Sequence, residues 1–230
     1  MEKVGFIGAY DKIDLMLNLS KILNILGKEV LIIDTTINQK AKYIVPHITP
    51  TAKYITTYEN IDVAIGFENI QEIKEYVGEK ENLPYDIALI DVDRKEYLEK
   101  YDMEKANKNF FITGFDTYSL KRGMETFIET KEIINLTKIL FCRDILKEDD
   151  DYLNFISEGY KIKWSENRIY FPLDIEDMLA NVENQRQGRI KFKKHTVQYK
   201  EAMIQVIQEI DLKYNEGKIR KIIKTIEKGV

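Results

Sequence analysis

Short apolar runs that alternate with helical segments are the feature that most constrains the fold of this chain. Seven such runs, rich in β-branched and aromatic residues, occupy residues 3–7, 29–33, 61–67, 86–90, 110–113, 136–142 and 169–171. Longer segments with helical spacing lie between them, such as 13–26 and 120–134. Runs that are apolar throughout are typical of strands buried on both faces. We therefore predict a three-layer α/β fold, with a mostly parallel twisted sheet of about seven strands and helices on both faces.

The chain has the size and composition of a single globular domain. Its 230 residues are 44% hydrophobic and 32% charged, and no linker or internal repeat divides them. We expect one domain over residues 1–212 and a separate C-terminal helix over 213–230. The single cysteine, Cys142, lies in an apolar run and is predicted to be a buried strand residue. A chain without disulfides favours a reducing, cytoplasmic location.

The net charge limits the macromolecules that the chain can bind. At a formal −4, affinity for nucleic acid would need a local basic patch. Residues 186–200 supply one, with six basic side chains and no acidic one. We interpret this segment as a solvated loop, with DNA binding as the alternative. The two histidines, His47 and His195, have no cysteine or carboxylate at metal-ligand spacing, so no metal site is predicted.

The loop after the first strand is the first place to look for chemistry, because ligands of open parallel sheets bind at the carboxyl ends of strands. It runs from Gly8 to Lys12 and opens a helix that contains Asn18-Leu19. This strand, loop and helix resemble the start of MinD/ParA ATPases, which carry a deviant Walker phosphate loop (the SIMIBI class). An alignment on Asn18-Leu19 without gaps places Lys12 on the phosphate-loop lysine and Gly8 on a loop glycine. The resemblance implies a P-loop NTPase-like fold.

Three positions in this loop depart from the pattern of the family. Asp11 stands in place of a glycine, Ile13 in place of the threonine that ligates Mg²⁺, and Ile7 in place of the signature lysine. Glycines let backbone N–H groups converge on phosphate, and a carboxylate at Asp11 would repel phosphate. We therefore predict no catalytic residue and no efficient ATP hydrolysis. A plain turn with a solvated Lys12 is our first interpretation, and a vestigial nucleotide site is the second.

The resemblance continues along the chain and supplies further candidate residues. Residues 110–123 look like the family strand that is followed by a Ser-Leu/Val-Arg helix start, and we predict Ser119 as the cap of that helix. Asp34 ends the second strand, and Asp91 stands where the family places the Asp that supports the metal. Arg143 follows the strand that often holds the adenine in the family, with Cys142 replacing its Asn. The vestigial nucleotide-binding candidates are Gly8, Lys12, Asp34, Asp91 and Arg143. We expect no cofactor, with ATP and Mg²⁺ as the alternative, and we interpret Asp34 and Asp91 as solvated carboxylates or caps.

The C-terminal tail has two faces. After a predicted helix stop at Gly217, one helical face carries isoleucines and the other lysines: Ile219, Ile222, Ile223 and Ile226 against Lys221, Lys224 and Lys228. MinD-type proteins have a basic amphipathic C-terminal helix that docks on anionic lipid, and this tail is similar in kind. We predict a docking helix for a membrane surface or a protein partner, which would place the protein at the membrane periphery. Packing against its own domain is the alternative.

Three functions remain open from the sequence. The first is a catalytically degenerate, non-hydrolysing scaffold that positions a secretion, pilus, conjugation or division apparatus through protein contacts. The second is an ATP hydrolase that works as a partitioning or localisation switch with an atypical P-loop. The third is a receiver-like or nucleotide-sensing domain that uses Asp34 and Asp91. The replacement of family residues by Ile7, Asp11 and Ile13 favours the first function. We also predict that any homodimer forms without nucleotide.

Overall fold

The fold is organised around an eight-stranded sheet with β1 near its centre. The computed structural model describes residues 1–46, 52–144 and 147–228, with the backbone alone at 147–149. The strands are β1 (Glu2–Ile7), β2 (Val30–Asp34), β3 (Tyr54–Tyr58), β4 (Ile61–Ile65), β5 (Ile87–Val92), β6 (Lys108–Thr113), β7 (Ile134–Cys142) and β8 (Ile162–Pro172). Their order is β3-β4-β2-β5-β1-β6-β7-β8. All the described pairs are parallel except β3 with β4.

Helices cover both faces of this sheet and give two separate cores. They are α1 (Ile13–Ile25), α2 (Ala41–Ile44), α3 (Ile70–Val77), α4 (Lys95–Lys100), α5 (Thr117–Glu125), α6 (Lys147–Ile156), α7 (Ile175–Gln187), α8 (Val197–Ile210) and α9 (Glu216–Glu227). Apolar residues of α1, α8 and α9 form one core, and those of α3 to α6 form the other. The predicted three-layer α/β fold is confirmed. Among the described residues, no helix is long and apolar enough to cross a membrane.

The sheet order creates a crevice at the carboxyl end of β1. β1 lies between β5 and β6, and the chain leaves it toward β2 on one side and reaches β6 on the other. Gly8 follows β1 with φ of 135°, and its N–H donates to Val92 O at 2.9 Å. A Cβ at this position would lie 2.4 Å from Ile112 O, so only glycine fits here.

Three local predictions were wrong. β3 was missed because its residues alternate between buried and exposed at the edge of the sheet, and it joins β4 through Glu59 and Asn60 with positive φ. The helix predicted over 120–134 ends at Glu125, and residue 134 already begins β7. Ser119 does not cap that helix. Asp116 does, because its Oδ1 accepts a bond from Ser119 N at 2.9 Å.

The C-terminal helix packs on the domain. Gly217 does not stop a helix but lies in the first turn of α9, which Asn215 caps. The four isoleucines of α9 are at most 8% exposed and belong to the core with α1 and α8. Lys221, Lys224 and Lys228 are exposed. A docking role for the isoleucines does not fit this arrangement, because the face that would dock is already covered by the domain.

Candidate functional site

Lys12 lies at the centre of the crevice and is buried, which corrects our interpretation of a solvated side chain. Its residue is 3% exposed, and its Nζ donates to Gly8 O at 2.6 Å and Tyr10 O at 3.0 Å. The same Nζ lies 2.8 Å from Asp91 Oδ1. This last contact is an ion pair whose angles fall outside hydrogen-bond geometry. The loop therefore folds around the ammonium of its own lysine.

Asp91 is the carboxylate that pairs with this lysine. It ends β5 beside β1 and is 4% exposed. Burial raises the pKa of Asp91 to about 7, because a charged carboxylate loses its hydration there. Lys12 opposes this shift and Asp34 adds to it. Asp91 is thus neither solvated nor a cap, contrary to our expectation, and it can gain a proton near neutral pH.

Asp34 acts as a local cap at the end of β2. Its Oδ1 accepts bonds from Thr36 N at 2.9 Å and Thr36 Oγ1 at 2.6 Å, and its Oδ2 accepts from Ala41 N at 3.0 Å. It stands opposite Asp91 in the β2–β5 register. Both oxygens of Asp34 are used by the turn into α2, so this residue fixes the wall of the crevice.

A cleft of about 260 Å³ opens beside Lys12. Its cationic lining comes from three elements: Lys12 in the loop, Lys40 before α2 and Arg122 on α5. Lys40 pairs with Asp11 at 2.6 Å and Arg122 with Glu125 at 2.8 Å, and all four of these side chains are at least 32% exposed. Exposed pairs of this kind are weak, so the two cations remain available to an anion.

A second cavity of about 340 Å³ adjoins the cleft on the other side of Tyr10. The Tyr10 ring stacks on Phe141 with centroids 4.6 Å apart. Asp14 lines this cavity and accepts from Gln185 Nε2 at 2.9 and 3.0 Å, so it does not join Asp34 and Asp91 in one acidic cluster. The rings of Tyr10, Phe141 and Tyr199 line the cavity, and a partly aromatic lining suits a planar group.

Arg143 is outside this site. Its side chain is 89% exposed and lies 3.9 Å from Asp144. It lines neither the cleft nor the adjoining cavity. Gly8, Lys12, Asp34 and Asp91 are therefore brought together by the fold, whereas Arg143 is not.

The described residues contain no group of three or more His, Cys, Asp or Glu placed to hold a metal ion. His47 lies outside the described residues. His195 is buried and its Nδ1 lies 3.2 Å from Asp177 Oδ1, while its ring stacks on Tyr199 at 4.5 Å. Asp177 also accepts from Thr196 N at 2.8 Å, so this carboxylate ties α7 to the start of α8.

Sequence reasoning missed Lys40 and Arg122. Arg122 stands in the segment that resembles the Ser-Leu/Val-Arg helix start of the family, and that resemblance was the available signal. Gly123 beside it lets α5 pack closely on β6, since a Cβ there would lie 3.0 Å from Phe111 Cζ. Lys40 carries no signal in the sequence, because only the turn after β2 brings it to the cleft.

Comparison with known proteins supports the fold and not a close relationship. No family model and no curated protein matches the sequence. Solved structures do match. The ParA family ATPase from Chlorobium tepidum TLS is 14% identical with a TM-score of 0.60, over 92% of this chain and 98% of that chain. A chain of the MinC:MinD cell division protein complex of Aquifex aeolicus is 14% identical with a TM-score of 0.52, over 97% and 96%. The ATP complex of a Cyanothece McdA variant is 13% identical with a TM-score of 0.50, over 100% and 97%.

These matches correct one expectation and confirm another. We expected no cofactor, and this expectation is wrong, because one similar structure is a ParA family ATPase and another was solved with ATP. The site lies where that fold predicts it, at the carboxyl ends of β1, β2 and β5. The chain therefore has the fold of the ParA and MinD ATPases, as the resemblance of its sequence implied.

Proposed function

We propose that this protein is a positioning protein that holds a nucleotide in the cleft beside Lys12 without efficient hydrolysis. It serves as a scaffold through contacts with other proteins, for a secretion, pilus, conjugation or division apparatus. The observation that carries the proposal is the enclosed Lys12, whose Nζ is bound by Gly8 O, Tyr10 O and Asp91. A lysine held in this way keeps its position in the loop. Its ammonium is occupied by protein oxygens and does not assist hydrolysis.

The cleft offers three cations to the phosphates of a nucleotide, against the carboxylates of Asp11, Asp91 and Asp93, which also line it. Lys40 and Arg122 line it from opposite walls, and each would exchange a weak exposed pair for a phosphate oxygen. Lys12 reaches the same cleft once it leaves Asp91. Because the pKa of Asp91 is raised to about 7, that carboxylate can be protonated when the lysine leaves. The cavity beyond Tyr10 adjoins the cleft and is partly aromatic, which suits a base.

The cleft does not suit Mg²⁺. Ile13, at the position of the metal-binding hydroxyl, is 1% exposed and part of the core. Asp91, the aspartate at the other metal position, is already paired with Lys12. Because a buried alkyl side chain stands at the position of the metal-binding hydroxyl and Asp91 faces Lys12, we derive no metal-assisted step for this chain.

Protein contacts fit the neighbours of this fold. One of the similar structures is a complex of two cell division proteins. The second candidate function, a partitioning switch with nucleotide-gated dimers, is less favoured, because Ile7 is fully buried and an alkyl side chain cannot reach a phosphate of a second copy.

Calorimetry with ATP, in Mg²⁺ and in EDTA, tests the proposal. We expect binding in both buffers, with no steady turnover of ATP in either. Arg122→Ala should weaken binding about tenfold, as the loss of one charge-assisted contact predicts. Arg143→Ala is the matched control, because Arg143 lies outside the cleft, and it should bind as the parent protein does.

Two results would contradict the proposal. The first concerns nucleotide binding and the second concerns hydrolysis. If ATP does not bind, the nucleotide site is not functional and only the scaffold remains. If ATP is hydrolysed and Lys12→Ala abolishes the turnover, the protein is an enzyme and the scaffold role fails.

A further inference from the structure

Helix α7 presents an apolar stripe to solvent. Ile175, Met178, Leu179 and Val182 are 70%, 62%, 60% and 40% exposed. Their spacing, i, i+3, i+4 and i+7, places them on one face of the helix. Single exposed apolar side chains are ordinary, but a continuous stripe marks an interaction surface.

A groove with a cationic rim runs beside this stripe. Its cavity of about 670 Å³ is lined by Leu179, Ala180 and Val182 on the apolar side and by Arg186, Lys193 and Lys194 on the other. Lys194 pairs with Glu183 at 2.5 Å. Arg186 and Lys193 are exposed and form no ion pair within the part of the chain that the structure describes. The groove therefore favours an occupant with apolar side chains and negative charge.

Helix α6 carries the complementary surface. Tyr152 and Phe155 are 44% and 66% exposed and lie three residues apart, on one side of the helix. Asp151 on α6 and Glu158 in the turn after it, both exposed, flank them. α6 packs through Leu153 in the core shared with α3 to α5, whereas α7 is joined to α1 by Gln185 and Asp14. The two surfaces thus lie on opposite faces of the sheet and cannot meet within one molecule.

We propose that the groove of α7 binds helix α6 of a second copy of this chain, with Phe155 and Tyr152 on the apolar stripe and Asp151 and Glu158 facing Arg186 and Lys193. Because the two surfaces differ, the contact is head to tail and propagates as an open chain rather than closing as a pair. It needs no nucleotide, so it goes beyond the proposed function and does not depend on it.

A flat anionic bilayer fits this surface less well than a helix does. The groove is concave, and Glu176 and Glu183 line it together with the cations. Those carboxylates would face lipid headgroups of the same sign. A helix with separate acidic side chains can instead place each of them next to Arg186 or Lys193.

Sedimentation of the full chain without nucleotide tests the proposal with variants in which the charges of the groove or of α6 are reversed. The parent protein should associate as its concentration rises. Arg186→Glu with Lys193→Glu, or Asp151→Lys with Glu158→Lys, should each weaken association at least tenfold. An equimolar mixture of these two double variants should associate again, because an intact groove meets an intact α6. Lys221→Glu with Lys224→Glu, on exposed positions of α9, is the matched control and should associate like the parent.

Met178→Ala and Phe155→Ala form a second, uncharged pair that should weaken association in the same way, in case a charge variant folds poorly. A parent protein that stays monomeric up to about 1 mM, the weak end of specific binding, would overturn the proposal. So would double variants that do not associate when mixed. Binding to phosphatidylserine vesicles that Met178→Ala removes, from a protein that does not self-associate, would assign the stripe to lipid and would also overturn it.

Discussion

Helices α7 and α9 have similar lengths and carry four apolar residues at the same i, i+3, i+4, i+7 spacing, but only α9 buries that face. The isoleucines of α9 are at most 8% exposed, whereas the apolar stripe of α7 is 40% to 70% exposed. The sequence suggested a docking role for α9 and none for α7. The comparison shows that an amphipathic pattern predicts that a face will be covered, but not what will cover it.

The two helices differ in where they are fastened. Arg220 pairs with Glu201, and Lys200 with Glu227, so polar contacts hold α9 along α8 and its isoleucines fall on α1 and α8. In α7 the polar contacts lie on the inner side, through Asp177 to Thr196 and Gln185 to Asp14. The apolar stripe of α7 is left on the outside as a result.

Removal of α9 should have the largest effect. Deleting residues 216–230 exposes the surface that four isoleucines cover, and each buried isoleucine contributes about 1.5–3 kcal/mol. Their sum is comparable with the whole stability of a domain, about 5–15 kcal/mol, so the shortened chain should lose its cooperative thermal transition. Lys221→Glu with Lys224→Glu should leave the transition in place. An unchanged melting temperature after the deletion would restore docking as the role of α9.

The same contrast between covered and exposed groups applies to the ion pairs of the loop. Measured near pH 9, where Asp91 is ionised in the parent protein, Lys12→Met should lower the free energy of unfolding by about 3 kcal/mol, because the carboxylate is then buried without its partner or must take up a proton. Lys40→Met, which breaks the exposed pair with Asp11, should change it by less than about 1 kcal/mol. Urea denaturation of both variants measures the difference. Equal losses would show that the Lys12 pair is as hydrated as the Lys40 pair.

Single truncations on the two helices give a direct measure of the comparison. Ile223→Ala in α9 should cost about 2–5 kcal/mol in unfolding free energy, since a cavity remains in the core. Leu179→Ala in α7 should change it by less than about 0.5 kcal/mol. Chemical denaturation at low protein concentration avoids any contribution from self-association. A large loss for Leu179→Ala would mean that the α7 stripe is covered within the monomer.

The pH dependence of stability tests the burial of the Asp91 carboxyl from a second side. The pKa of Asp91 is about 7 in the folded chain, against 3.8 for an ordinary aspartate. Between about pH 4 and pH 7 the folded state therefore binds more protons than the unfolded state, and the contribution of Asp91 to stability falls as pH rises. Asp91→Asn should flatten this slope in thermal melts. An unchanged slope would place the titration on another group.

The sequence predicted the fold well because its signal is local and repeated. Buried strands 3–7 and 136–142 are apolar throughout, and such runs have few alternatives to a covered sheet. β3 was not predicted, because an edge strand alternates between apolar and polar residues, as many loops do. The candidate site was predicted only in part: Gly8, Lys12, Asp34 and Asp91 follow strand ends, where the fold type points, whereas Lys40 and Arg122 follow no strand and enter the cleft through the folding of their helices.

The layers, the order of the elements along the chain, and the presence of Ile7, Asp11 and Ile13 around the first loop can be read from the sequence, because they depend on residue types at short range. The inward turn of Lys12 onto Asp91 comes from the tertiary fold, since these two residues, 79 positions apart, meet through the pairing of β1 with β5. The tertiary fold also places α9 rather than α7 in the core. Burial depends on which surfaces the rest of the chain brings near, and no single helix carries that information.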